Sequence, residues 1–375
     1  MDNFSEYVFV KLGRMVAEVE KESGRKVLNL GPGSPDFPPS KINLQKLKEF
    51  IDEPQAHLYP GYGANKELSE ALTNWYHARF GVDLKDDELY PLLGAKDGVS
   101  HLSMALLDKD DEFLVPDPGY PGFSGSALML GAKPLSYNLL EKNYFKIDFD
   151  DLSRKITSRT KFIWVNFPSN PTGQVIRLAE LEKLVVLAKK KKIWLVYDNA
   201  YSEITFGGYI APSILQVPGA KDVCVEIGSF SKTFSLAGYR MGWMVGNSQV
   251  IEALAKVKSQ MDSGMAMTLQ KLGAYVLNNF DNDWHEKMIE SYEKRRDIIA
   301  VFLKKLGLKF DLPKAGLYLW AKIPDNYRDA DDFSIEMLKE KQVLFTPGTA
   351  FGKNGKKYVR ISFCSNIENI NNYFL

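Results

Sequence analysis

The segment SFSKTFSLAGYRMGW, residues 229–243, places Lys232 directly after the apolar run VCVEIGS and puts Arg240 eight residues further on. A short run rich in β-branched residues and closed by Gly and Ser reads as a buried strand. It has counterparts upstream. Phe113–Val115, Phe162–Val165 and Ile193–Tyr197 are brief apolar runs that end in Pro, Asn or Asp, and helical stretches such as LAELEKLVVLAKKKK, residues 178–192, lie between several of them. Strands that are nearly all apolar and alternate with helices indicate an α/β fold, with a mainly parallel sheet covered by helices on both faces. Ligands of such sheets bind beyond the carboxyl ends of the strands, which is where Lys232 falls.

Towards the N-terminus, residues 14–23 have helical spacing up to Gly24, and KVLNLG reads as a short strand leading into the irregular GPGSPDFPPS. Leu68, Ala71, Leu72, Trp75 and Ala78 recur at helical intervals over 66–80, behind the loop LYPGYGAN. After about residue 280 the pattern changes to a long helix, MIESYEKRRDIIAVFLKKLG, followed by the short strands GLYLWAKI and YVRISF with a further helix between them. The expected organisation is an N-terminal arm with part of a smaller domain over 1–40, a large domain over 41–280, and a smaller α+β domain over 281–375.

The 48 basic and 47 acidic side chains nearly cancel, so no electrostatic footprint for nucleic acid or an anionic membrane is expected, and a small-molecule partner is. Cys224 and Cys364 are far apart and without a CxxC pattern, which argues against a disulfide framework or a zinc site and favours a reducing compartment. The opening MDNFSEYVFVKLGRMVAEVEKESG mixes acidic and apolar residues, unlike a secretory or transit signal, and no apolar run approaches the ~18 residues of a membrane helix. A cytoplasmic location is expected.

A lysine withdrawn from water beside other cations loses its proton readily and becomes an amine nucleophile, although in isolation Lys232 also fits a solvated loop lysine. Ser229, Ser231 and Arg240 supply the hydroxyls and the fork that a phosphate dianion needs. In LLGAKDGVSHL, a Gly-rich turn at Gly94-Ala95-Lys96 opens a helix whose free N–H groups attract anions. Asp198 closes the run IWLVYD, where it could equally cap a helix. Tyr201 could be packing, and Asn170 in NFPSNPTG could be a turn residue.

In order along the chain, NPTG, YDNAY, SFSKTFSLAGYRMGW and YVRISF resemble the class I aminotransferases of fold type I, which use pyridoxal 5′-phosphate. The resemblance runs from GSPDFP near residue 33 to Arg360 and implies that the large domain binds the cofactor. It implies that Lys232 condenses with the cofactor aldehyde and later moves a proton from the substrate Cα. It also implies that Asp198 pairs with the pyridine nitrogen, and that Asn170 and Tyr201 hydrogen-bond the phenolic oxygen. Tyr120 in DPGYPGF would stack on the ring, while Ser229, Arg240 and the Ala95-Lys96 turn, with Ser231 as a further member, would cup the phosphate. Arg360, which alternates with Val359 and Ile361, would clamp the substrate α-carboxylate beside Asn170, with a backbone contact from Gly33. Tyr59 and Tyr62 would enter the site of a neighbouring subunit, Tyr59 at the phosphate and Tyr62 at the substrate, making a homodimer with shared active sites.

Closer in, YPLLGAKDGVSHL, VPDPGYP, YDNAYSEI, PSILQVPGAKDV, KVKSQMDSG and TPGTAFGKNGKKYVRISF resemble the LL-diaminopimelate aminotransferases and their bacterial relatives. Those enzymes exchange an amino group between LL-diaminopimelate and 2-oxoglutarate, and Lys96 would then meet a distal carboxylate. In plant-type members a glutamate that meets the distal ammonium stands where this chain has Asn65, and a neutral amide recognises an ammonium less strongly. Aspartate, alanine or glutamate as amino donor therefore stays open, as does a C–S lyase of the same fold that works by β-elimination.

Overall fold

A computed structural model describes residues 8–366 and 368–370. Its strands are β1 (Leu28–Asn29), β2 (Leu89–Leu92), β3 (Glu112–Asp117), β4 (Lys133–Asn138), β5 (Thr160–Asn166), β6 (Trp194–Asp198), β7 (Cys224–Ser229) and β8 (Gly242–Gly246), then β9 (Tyr318–Lys322), β10 (Val343–Leu344), β11 (Thr346–Pro347) and β12 (Tyr358–Ser362). The first four helices are α1 (Val8–Ser23), α2 (Lys41–Ile51), α3 (Lys66–Phe80) and α4 (Ala95–Leu106). Helix α1 begins well before the periodic stretch read from residue 14, because Val8, Phe9 and Leu12 extend its apolar face.

The large sheet has the order β2-β8-β7-β6-β5-β3-β4. Its neighbours are parallel except at β8, which runs antiparallel to both β2 and β7. The apolar strand residues alternate between two cores, as the period of two requires. Phe113, Val115, Phe162, Trp164, Val196 and Ile227 face one side, with α4 and the helix Ser248–Lys258. Leu114, Ile163, Val165, Leu195 and Tyr197 face the other, with α3 and the helix Leu178–Lys191. Burying Trp164, Phe113 and Phe162 completely in this way contributes about 2–3 kcal/mol each.

A second layer holds the antiparallel sheet β11-β12-β9 and the parallel pair β1-β10. Leu28 and Leu30 from the N-terminal segment pack with Leu317, Leu319, Val359 and Ile361 and with residues of the 24-residue helix Asn282–Lys305. Chain ends that are remote in sequence thus share one core. The segment after β1 then crosses back towards the large sheet, and α1 lies against Leu338 and Leu344.

Candidate active site

The carboxyl ends of β5, β6 and β7 open into a cavity of about 490 Å³ that is closed from the other side by Arg360 of β12, Tyr318 of β9 and residues 31–34. The cavity draws its walls from both layers. Strand β6 ends at Asp198 and β7 at Ser229, and one turn of helix, Phe230–Thr233, then carries Lys232 into the space. The reversed direction of β8 explains the spacing of Lys232 and Arg240. Gly242 at the start of β8 pairs with Ser229 at the end of β7, so the residues just before β8 return to the edge that the chain left.

At that edge Arg240 adopts a left-handed backbone, φ 55°, and its Nη1 donates to the Ala237 carbonyl at 2.7 Å. Gly94, also at positive φ, lets the guanidinium pass, since a Cβ there would lie 2.3 Å from Arg240 Nη2. The first residues of α4, Ala95 and Lys96, line the cavity beside it, and the N-cap residue, Gly94, has no side chain to cap that helix. Ser229 and Ser231 complete this end, and the Ser231 N–H donates to Ser229 Oγ at 3.1 Å. Hydroxyls, helix N–H groups and an arginine converge there, which is a donor set for a phosphate.

Behind the Gly94 turn, Lys258 is 1% exposed and its amine donates to both Asp97 Oδ2 and Asp262 Oδ2 at 2.7 Å. Asp97 also accepts from the Leu93 N–H, and its other oxygen faces His101 Nδ1 at 2.7 Å. Asp97, His101 and Asp262 have the spacing of a metal cluster. The buried ammonium already bridges the two carboxylates, so these residues form an ion-pair anchor for α4.

Asp198 is nearly buried, and desolvation raises its pKa to about 6 against the opposing pull of the Ala200 N–H and Lys232. Its Oδ1 accepts from Ala200 N–H at 3.2 Å. The Tyr201 hydroxyl meets the Tyr318 hydroxyl at 3.0 Å, and Tyr120 lies in the same wall.

The Lys232 amine donates to the Gly33 carbonyl at 2.6 Å. Burial, followed by the nearby cations Arg360 and Arg240, pushes its pKa down to about 8, although Cys364 and Asp198 act the other way. It is therefore poised to act as a free amine near neutral pH.

Arg360 is 2% exposed, and its guanidinium lies 4.2 Å from the Tyr318 ring centroid and 4.7 Å from that of Phe351. Nη1 donates to Asn170 Oδ1 at 2.8 Å and Nη2 to the Gly31 carbonyl at 2.6 Å. Nε is buried without a partner among the described residues. A desolvated cation with a spare donor, set in the wall of a cavity, suits an anionic ligand.

Of the residues singled out from sequence, Gly33, Ala95, Lys96, Tyr120, Asn170, Asp198, Tyr201, Ser229, Ser231, Lys232, Arg240 and Arg360 all line this one cavity. Tyr59 and Tyr62 do not; they stand out from the surface, 87% and 66% exposed. Asn65 is turned to another use. Its Oδ1 caps α3 by accepting from the Leu68 N–H at 2.8 Å, and its amide donates to Met267 Sδ. Sequence reading missed Phe9 and Leu12 of α1, Tyr318 and Asn166. The first three looked like ordinary packing residues, and only position at the end of an apolar run marked Asn166.

These side chains fit pyridoxal phosphate. A lysine amine, a carboxylate, a phosphate cup and a carboxylate-seeking arginine with an unfilled Nε occupy separate walls of one space. Comparison with known proteins agrees. The chain matches the family model for aminotransferase class I and II over residues 25–373. It is 38% identical over 369 residues to LL-diaminopimelate aminotransferase from Halothermothrix orenii, covering 98% of this chain and 94% of that one. Apo-BacF from Bacillus subtilis superposes with a TM-score of 0.92 at 33% identity, covering 99% of this chain and 94% of that one. A probable N-succinyldiaminopimelate aminotransferase from Thermus thermophilus gives 0.88 at 29% identity, with 98% of each chain covered. With this site and these relatives, the chain belongs to the class I and II aminotransferases and is a transaminase that depends on pyridoxal phosphate.

Proposed function

We propose that this transaminase takes the amino group of LL-diaminopimelate and passes it to a 2-oxo acid, 2-oxoglutarate, by a ping-pong mechanism. Identity of 38% along almost the whole length of an LL-diaminopimelate aminotransferase carries the substrate reading. The convergence of Lys232, Asp198 and Arg360 on one cavity supports the assignment of roles.

When bound, pyridoxal phosphate supplies an aldehyde for the substrate amine and a ring that delocalises the electron pair left on Cα. Lys232 would hold the aldehyde end of the group, and its amine, lowered to a pKa of about 8, would be the base that moves the substrate Cα proton. Asp198 would pair with the ring nitrogen and keep it protonated, an ion pair that the surrounding apolar sheet would strengthen. Asn170 and Tyr201 would hold the phenolic oxygen, and Tyr120 would support the ring. Ser229, Ser231, Arg240 and the Ala95-Lys96 turn would hold the phosphate.

Arg360 receives the α-carboxylate through Nε and one Nη, next to Asn170 and the Gly33 backbone, and Lys96 meets the distal carboxylate. Tyr59 and Tyr62, large rings left in solvent, reach into the cavity of a second copy across a two-fold axis, Tyr59 at the phosphate and Tyr62 at the substrate. Asn65 takes no part in substrate recognition, since its Oδ1 is already spent on capping α3 and its Nδ2 on Met267 Sδ. Two buried, unpaired cysteines suit a reducing cytoplasm.

The test is a half-reaction. Purified holoenzyme is mixed with single amino acids, and the cofactor's visible band is followed as it converts to the amine form. Conversion is expected with LL-diaminopimelate at far lower concentration than with aspartate, alanine or glutamate. Faster conversion by one of those three would replace the substrate, and release of ammonia and pyruvate would replace the reaction with elimination.

A further inference from the structure

We propose that Asn166 is a positioning residue that couples the guanidinium of Arg360 to Asp198. The inference rests on the reading that Arg360 takes the substrate carboxylate and Asp198 faces the ring nitrogen. It assigns a task to a residue that touches neither.

Asn166 is the last residue of β5 and pairs with Asp198, the last residue of β6. It is 3% exposed. Its Nδ2 donates to the Asp198 carbonyl at 3.0 Å, with a longer contact to the Pro168 carbonyl at 3.4 Å. Its Oδ1 accepts the Asn170 N–H at 2.8 Å. Asn170 Oδ1 in turn accepts from Arg360 Nη1 at 2.8 Å. Hydrogen bonds therefore link the Arg360 guanidinium, through the side chain and main chain of Asn170 and the Asn166 amide, to the main-chain carbonyl of Asp198.

The residue type follows from the task. A relay between a backbone N–H on one side and a backbone carbonyl on the other needs an acceptor and a donor on one short, planar group, which an amide provides. Aspartate would keep the acceptor and lose the donor. Alanine would lose both. Every link is buried in close-packed surroundings, so a movement of Asn170 is passed on to its partner instead of being absorbed by water.

When a carboxylate fills the free side of Arg360, the guanidinium turns and Asn170 moves with it. Asn166 carries that displacement to the Asp198 main chain. The Asp198 carboxylate is held by the N–H of Ala200, two residues along, so it follows its own backbone. Occupancy of the clamp thereby adjusts the acid, and by linkage the state of the acid adjusts the affinity of the clamp.

The experiment uses holoenzyme and succinate, a dicarboxylate without an amine. The visible band of the bound cofactor is titrated with pH, with and without saturating succinate, and each variant is compared only with itself. Wild type is expected to show a succinate-induced displacement of the midpoint, and R360M is expected to show none. If wild type shows no displacement, or R360M keeps it, the roles read for Arg360 and Asp198 are wrong and the coupling falls with them. With those controls in place, N166D and N166A are expected to lose about 0.5–1.5 pH units of the displacement while still binding cofactor and melting cooperatively. A full displacement in either loaded variant overturns the proposal. Should N166A fail to fold, the near-isosteric N166D decides the matter, because it keeps the acceptor for Asn170 and removes the donor to the Asp198 and Pro168 carbonyls.

Discussion

Lys232 and Gly33 meet across the two layers, with the amine donating to the carbonyl at 2.6 Å. Only a residue without a side chain can present its carbonyl there, because a Cβ on Gly33 would lie 1.8 Å from the Tyr318 hydroxyl oxygen. This bond holds the amine in the cavity while burial favours its neutral form.

The pH dependence of cofactor capture follows. With Lys232 lowered to about 8, apoenzyme should take up pyridoxal phosphate at a rate that rises with pH and is half-maximal near that value. An unperturbed lysine would give a midpoint at about 10.4. Stopped-flow absorbance reads the rate directly, and a rate still climbing well above pH 9 would show that the amine is not desolvated. The K232A variant should form no covalent cofactor band at any pH.

Asp198 trades stability for function. Its folded pKa of about 6 lies above the ordinary 3.8, so between these values the folded chain binds more protons than the unfolded one. Stability therefore falls as pH rises through that window and stays lowered above it, by about 3 kcal/mol at most. D198N removes the buried charge and keeps an oxygen for the Ala200 N–H. Its apoenzyme should melt higher than wild type at neutral pH and equally at pH values below the window, while turnover falls by about 100-fold or more. A variant that melts lower at neutral pH would contradict this account.

Much of the site was legible because its chemistry sits at strand ends, where apolar runs stop at Asp198 and Ser229 and polar residues become informative. The direction of β8 was not legible, since a period of two is the same for parallel and antiparallel strands. That direction is what returns Arg240 to the cavity. Asn65 illustrates a competing signal. An Asn immediately before a helix start is a cap, and this local use outweighed the substrate contact suggested by alignment with a glutamate. Phe9 was hidden for another reason: it lines the cavity only because Leu12 of the same helix packs on Leu338 and Leu344, a contact more than 300 residues away in sequence.

At Gly94 the backbone has φ 89° and the space for a Cβ is filled by the Arg240 guanidinium. G94A must therefore either strain the turn, by about 1–2 kcal/mol, or displace Arg240 from the phosphate end. Equilibrium dialysis of pyridoxal phosphate should show affinity weakened by about 10-fold or more, with a smaller change for pyridoxal, which lacks the phosphate. Equal weakening for both compounds would place the damage elsewhere in the cavity.

The last prediction concerns Lys258, which lies behind the Gly94 turn and does not line the cavity. K258M fills a similar volume but leaves the part-buried carboxylates of Asp97 and Asp262 without their shared cation. Because both acids keep some contact with water, the loss costs about 1–3 kcal/mol, still more than a surface ion pair would. Thermal or urea denaturation should record that loss. Because Asp97 also accepts the Leu93 N–H at the turn into α4, cofactor affinity should weaken as well. Replacing both acids in the triple variant K258M/D97N/D262N removes the unpaired charge and should recover most of the stability. If K258M alone is as stable as wild type, the ammonium is not the counter-charge for these acids, and the anchor assigned to α4 must be sought in its apolar face, at Val99 and Leu102.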